Sequence, residues 1–168
     1  MSASRLLFLL GSFADLSRAE LAKVLSDVEL TTVTSQIVAA DFVTTPDPVQ
    51  LMQRLGGTIK IMSQLTEVNG SDTQVLTQKI GDILTQTDQH KITFAISESG
   101  RDHLEPVDPG QVKNLLQAAG FSARYVESGN LGLSSAGLSH HKVTEINLIY
   151  QSDTKNTIFA TTVALQIS

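Results

Sequence analysis

The residues best able to bind a metal or move a proton are His90, His103, His140 and His141. His140 and His141 are adjacent, so they diverge on a strand and sit about 100° apart on a helix, where neighbouring positions do not face each other. No His-x-x-x-His pair and no carboxylate at matching helical spacing accompanies them, so all four read as solvated side chains. The chain has no cysteine, which excludes disulfides, thiolate nucleophiles and Cys-ligated zinc. Serine is abundant, yet no Gly-x-Ser-x-Gly elbow is present. No G-x-G-x-x-G follows a strand pattern, and Lys60, after Gly56-Gly57, precedes Ile61 rather than Ser or Thr, so a nucleotide-cradling loop is not expected. Gly129-x-x-Gly132 has the outline of a backbone-clamping loop. It holds Asn130 and Leu131 where that chemistry wants cations, and reads as a turn. What remains is charge: Arg101, Lys113, Arg124 and Lys142 are the cations that could gather into a phosphate-binding patch.

The elements that must position them follow from periodicity and punctuation. Leu6 to Leu10 is an apolar run of strand length, closed by Gly11-Ser12. Ser17, with Glu20 three residues on, predicts a capped helix carrying Leu21, Val24 and Leu25. Val28–Thr34 and Ile37–Phe42 predict a hairpin. Asp47 and Pro48 predict a cap and first position for a helix through Leu55, ended by Gly56-Gly57, and Thr58–Leu65 predicts a strand on which Lys60 faces solvent. The order β-α-β-β-α-β is that of the ferredoxin-like split β-α-β unit. Asn69-Gly70-Ser71-Asp72 then marks an internal boundary. Beyond it come a helix from about Asp72 to Gln86, a strand at Lys91–Ser97, a helix capped by Asp108-Pro109 and closed by Gly120, and a strand at Ala123–Glu127. A short helix at Ser134–Lys142 and two terminal strands, Glu145–Tyr150 and Thr157–Ile167, complete the chain.

At 168 residues, 41% hydrophobic and 17% charged, the chain is long enough for one ordinary domain or two small ones and too apolar to be disordered. No apolar run reaches the 18 residues of a membrane span. Arg5 and the leucines after it have the outline of a signal peptide. Without a small-x-small cleavage site, a buried first strand is the better reading, and a cytoplasmic protein is expected. Net charge is −5, split as −2 over residues 1–67 and −3 over 68–168, so any nucleic-acid surface must be a local patch.

Several stretches also carry a resemblance. Leu7-Phe8-Leu9-Leu10-Gly11 followed by Leu16-Ser17-Arg18-Ala19-Glu20-Leu21 resembles the opening of the archaeal-type tRNA guanine-N2 methyltransferases, a group of RNA methylases. Arg54-Leu55-Gly56-Gly57-Thr58-Ile59-Lys60-Ile61 resembles that family's R-L-G-G-T-x-K-I signature. Phe94-Ala95-Ile96-Ser97, Gly120-Phe121-Ser122-Ala123-Arg124-Tyr125-Val126, Leu133-Ser134-Ser135-Ala136 and Thr162-Val163-Ala164-Leu165-Gln166 are similar to further family stretches, in the same order.

The resemblance implies an α+β chain, with a ferredoxin-like unit at residues 1–67 followed by a THUMP-like RNA-binding unit at 68–168. It implies tRNA or another structured RNA as partner, with Arg124 and Lys142 on matched positions. Lys113, Arg101 and the helix-capping pair Ser134 and Ser135, whose free amides could accept a phosphate, complete the expected RNA-binding set. No catalytic residue, metal or cofactor is expected in the chain. S-adenosylmethionine would belong to a catalytic domain or a separate subunit. The competing expectation is an acidic interaction module that docks on a methyltransferase subunit.

Overall fold

A computed structural model describes residues 4–127 and 143–166. The elements are β1 (Ser4–Leu10), α1 (Ala14–Val24), β2 (Leu30–Thr32), β3 (Ile37–Phe42), α2 (Pro48–Gln53), β4 (Thr58–Asn69), α3 (Thr73–Leu84), β5 (Lys91–Ser99), α4 (Pro109–Ala118), β6 (Ser122–Tyr125), β7 (Val143–Gln151) and β8 (Asn156–Leu165). The chain is α+β, and its eight strands form one sheet in the order β2-β3-β1-β4-β8-β7-β5-β6.

The helix starts explain themselves at three of four positions. Asp47 accepts from the amides of Val49 and Gln50, Asp72 from those of Gln74 and Val75, and Asp108 from that of Gly110. Each satisfies donors that the first helical turn leaves orphaned. Gly120 ends α4 with φ of 95°, and the Phe121 amide reaches back to the Leu116 carbonyl at 3.0 Å, a closure that wants glycine in the left-handed region.

The fourth start corrects the sequence reading. α1 begins at Ala14, so Ser17 lies inside the helix and is buried, and no side chain caps its N-terminus. Glu20 reaches instead across 36 residues, where its carboxylate accepts from the Gly56 amide at 3.0 Å and the Gly57 amide at 2.9 Å. Gly57 is needed for closeness: a Cβ there would lie 2.3 Å from Ser17 Oγ.

Strands β1 to β4 pair antiparallel in the order β2-β3-β1-β4, as the β-α-β-β-α-β reading requires. β5 pairs parallel with both β6 and β7, while β7 and β8 form an antiparallel hairpin. β8 then pairs antiparallel with β4 along nearly its whole length, so the two stretches share one hydrogen-bonded sheet. β4 runs through Asn69, four residues past the strand end read from the sequence and up to the Asn69–Asp72 boundary.

All four helices lie on one face. Leu21, Leu51 and Leu55 pack with Leu6, Phe8, Ile61 and Ala164, while Leu76, Ile80, Val112 and Leu116 pack with Phe94, Ile146, Leu148 and Phe159. Register joins these clusters, because Leu6, Ser63, Thr161 and Ile146 stand side by side across β1, β4, β8 and β7. The other face carries no helix among the described residues, yet Leu7, Ile37, Met62, Ile149 and Ile158 form a third buried cluster on it. The sheet curls around that face. Residues 32–36 of the β2–β3 turn and residues 98–100, 102 and 150–153 line one cavity of about 710 Å³, and register shifts between Leu9 and Leu10, Ile61 and Met62, and Gln64 and Thr66 supply bends.

Candidate nucleic-acid interface

The expected RNA-binding residues fall in different places. Arg124 is exposed on β6, opposite Thr93 of β5. Its neighbour Tyr125 packs its ring against Phe94, with centroids 5.4 Å apart, inside the α3–α4 cluster. Alternation along the strand therefore turns Arg124 to the helix-free face. Lys113 is half-buried on α4, in the helix layer. The sheet separates these two cations, so they do not form one patch. Burial, with Glu127, Glu98 and Glu145 adding to it, raises the Tyr125 hydroxyl above the usual tyrosine range.

Arg101 does not face solvent at all. It is 5% exposed; its Nε donates to Glu98 Oε1 at 2.5 Å and its Nη2 to the Glu105 carbonyl at 2.7 Å. Glu98 also accepts from the Val107 amide, so this pair ties the 98–107 loop to the start of α4. Ser134, Ser135 and Lys142, the predicted 134–142 helix, the Gly129–Gly132 turn, His140 and His141 lie outside the described residues. His90 and His103 are exposed, and among the described residues no group of three His, Asp or Glu residues is placed to hold a metal ion.

Lys60 is a second correction. It is buried at 8% exposure, and its ammonium lies 2.7 Å from Glu145 Oε1 and donates to Asn147 Oδ1 at 3.0 Å. Asn147 donates to the Ala160 carbonyl at 3.1 Å and to Thr162 Oγ1 at 2.9 Å, and the Thr162 hydroxyl donates to Glu145. The network spans β4, β8 and β7 on the helix-free face. Buried charges persist only where pairing and hydrogen bonds of this kind offset desolvation.

Two lysines that the sequence reading did not single out lie together. Lys79 of α3 and Lys91, the first residue of β5, line a cleft of about 510 Å³ on the helix face. Thr66, Thr144 and Thr161 come to it from β4, β7 and β8, and Ile83 from α3. No Asp or Glu lines this cleft, and neither lysine has an ion-pair partner among the described residues. The 710 Å³ cavity is its electrostatic opposite, with Glu98, Asp102 and Asp153 and no Lys or Arg among its described lining residues. Lysines 12 residues apart, on a helix and on the strand after it, give no local charge run, which is why the sequence did not flag them.

No family model and no curated protein matches the chain. Solved structures do. TrmN from Thermus thermophilus matches 96% of this chain and 46% of its own at 8% identity and a TM-score of 0.58. A "predicted N6-adenine-specific DNA methylase" of Listeria monocytogenes matches 96% and 40%, at 8% identity and a TM-score of 0.56. "A possible methylase" from Clostridium difficile matches 96% and 41%, at 8% identity and 0.54. The chain thus shares a fold with these proteins and spans less than half the length of each.

Proposed function

We propose that this chain is the RNA-binding, substrate-positioning region of an S-adenosylmethionine-dependent tRNA guanine-N2 methyltransferase, with a ferredoxin-like unit leading into a THUMP-like one. The observation that carries the reading is the cleft at Lys79 and Lys91, two lysines with no lining carboxylate and no ion-pair partner among the described residues, in a chain of net charge −5. Phosphates bind where cations are local, whatever the total charge. The likeness over 96% of the chain to a possible methylase and to a predicted DNA methylase supports a link to methyl transfer, and the R-L-G-G-T-x-K-I resemblance at Arg54–Ile61 supports tRNA as the substrate. In this reading the methyl donor and the reacting groups belong to another domain or subunit. This chain contributes phosphate contacts that fix the orientation of the RNA by shape, not by base sequence.

Titration of a fluorescently labelled tRNA transcript with the chain at low salt tests it. Binding is expected, weakening linearly in log K against log salt, with the slope reduced by roughly one when Lys79→Ala is introduced. No shift of the transcript at low salt would overturn the reading.

A further inference from the structure

The geometry points to Asn69–Gly70, where β4 gives way to the turn before α3, as a site of spontaneous covalent modification to isoaspartate or aspartate. The inference stands apart from the RNA-binding reading. In the first step the Gly70 nitrogen loses its proton to buffer base and attacks Asn69 Cγ. A carbon–nitrogen bond forms, the carboxamide nitrogen leaves as ammonia, and a succinimide ring results. Water then adds to one ring carbonyl and opens it. Breaking the bond between the nitrogen and Cγ gives aspartate; breaking the bond between the nitrogen and the Asn69 backbone carbonyl carbon gives isoaspartate. Gly70 has no Cβ to shield its nitrogen, its φ is 84°, and a Cβ built there would meet nothing within 4 Å, so the ring can close in open space. Asn69 is exposed, and its carboxamide has no hydrogen-bond partner among the described residues. The other described asparagines are held back. Asn147 is buried and bonded to Ala160 and Thr162, Asn156 donates to Glu67 and precedes β-branched Thr157, and exposed Asn114 precedes Leu115 inside α4. The fold restrains Gly70 through two bonds: its amide donates to the Lys155 carbonyl at 2.9 Å, and its carbonyl accepts from the Thr157 hydroxyl at 2.7 Å. That corner opens readily. Asn69 and Asn156 are the last pair of the β4–β8 ladder, and Lys155 holds a left-handed φ of 61°, so opening releases backbone strain. Either product adds a carboxylate to a chain of net charge −5, and isoaspartate also inserts a carbon into the backbone between β4 and α3.

The test ages the intact chain in a warm, mildly alkaline buffer, beside a free peptide of residues 66–73 that serves as a clock. Isoaspartate is mapped segment by segment by mass spectrometry and counted by methyl uptake with a protein isoaspartyl carboxyl methyltransferase. Over the time the free peptide takes to convert, the Asn69 segment is expected to convert at least about tenfold faster than the segments holding Asn114 and Asn156, which have no glycine after the asparagine. Asn69→Gln should abolish conversion there, because the longer side chain must close a less favourable, larger ring. Thr157→Val should speed conversion by about two- to tenfold, the effect on local opening of losing one hydrogen bond. Circular dichroism matching the parent shows that both variants fold. An Asn69 that stays intact while the free peptide converts fully would overturn the inference, because the fold would then shield the site. Loss spread evenly over Asn69, Asn114 and Asn156 would overturn it too, as would a Thr157→Val chain that converts no faster than the parent.

Discussion

Gly57 shows how a single missing methylene group holds two distant elements together. Its approach to Ser17 leaves no room for a Cβ, which would meet Ser17 Oγ at 2.3 Å and Ser17 Cα at 3.1 Å, and the same approach aims the Gly56 and Gly57 amides at Glu20. Gly57→Ala is expected to cost about 1–3 kcal/mol of unfolding free energy through overpacking, and Ser17→Gly in the same chain should return part of it. Denaturant midpoints for the single and double variants check this; a Gly57→Ala chain within about 0.5 kcal/mol of the parent would contradict it. At the surface, Arg5 donates to both oxygens of Asp41 at 3.0 Å, and these hydrogen bonds, with the guanidinium charge, hold the Asp41 carboxyl below its ordinary range. A carboxylate depressed on folding adds stability above its unfolded pKa and loses it as pH falls through the folded one. Stability should therefore fall a little more steeply below about pH 4 in the parent than in Asp41→Asn, by less than about 1 kcal/mol because the pair is solvent-exposed. Parallel pH profiles would show that the pair contributes nothing.

At the scale of elements, three of four helix starts were legible because Asp47-Pro48, Asp72 and Asp108-Pro109 solve a local problem with local residues. Ser17 and Glu20 have the same local pattern but serve a partner 36 residues away, so their role appears only in the fold. Lys60 was misread for a related reason. A charged residue on a strand reads as solvent-facing, but here β8 brings Glu145 and Asn147 of β7 within reach, and no spacing in the sequence announces that. Since the pair is buried, Lys60→Met should cost about 3–5 kcal/mol by removing the cation that offsets the buried Glu145 charge, and adding Glu145→Gln should cost less than the sum of the single changes. Thermal or denaturant unfolding of the three variants decides it, and strictly additive costs would argue against coupling across β4, β8 and β7.

For the molecule as a whole, β8 is the decisive strand. It pairs with β4 on one side and β7 on the other, and Ala164 enters the core under α1 and α2 while Phe159 enters the core under α3 and α4. The two stretches read from the sequence at the Asn69–Asp72 boundary therefore share a strand and, on the helix-free face, a core cluster running from Ile37 to Ile158. The full chain is expected to unfold in one cooperative transition seen alike by far-ultraviolet circular dichroism and calorimetry, and two separated transitions would contradict this. The same curled sheet decides where charge ends up. It buries Lys60, puts Arg124 and Lys113 on opposite faces, and leaves Lys79 and Lys91 in a cleft with no carboxylate among its described lining residues. Lysine-reactivity footprinting with and without bound tRNA, read out residue by residue by mass spectrometry, tests that arrangement most directly. Lys79 and Lys91 should become protected by the RNA, exposed Lys23 and Lys155 should react unchanged, and buried Lys60 should stay slow throughout. Equal reactivity of Lys79 and Lys91 in the free and RNA-bound chain would show that the cleft is not where the RNA sits.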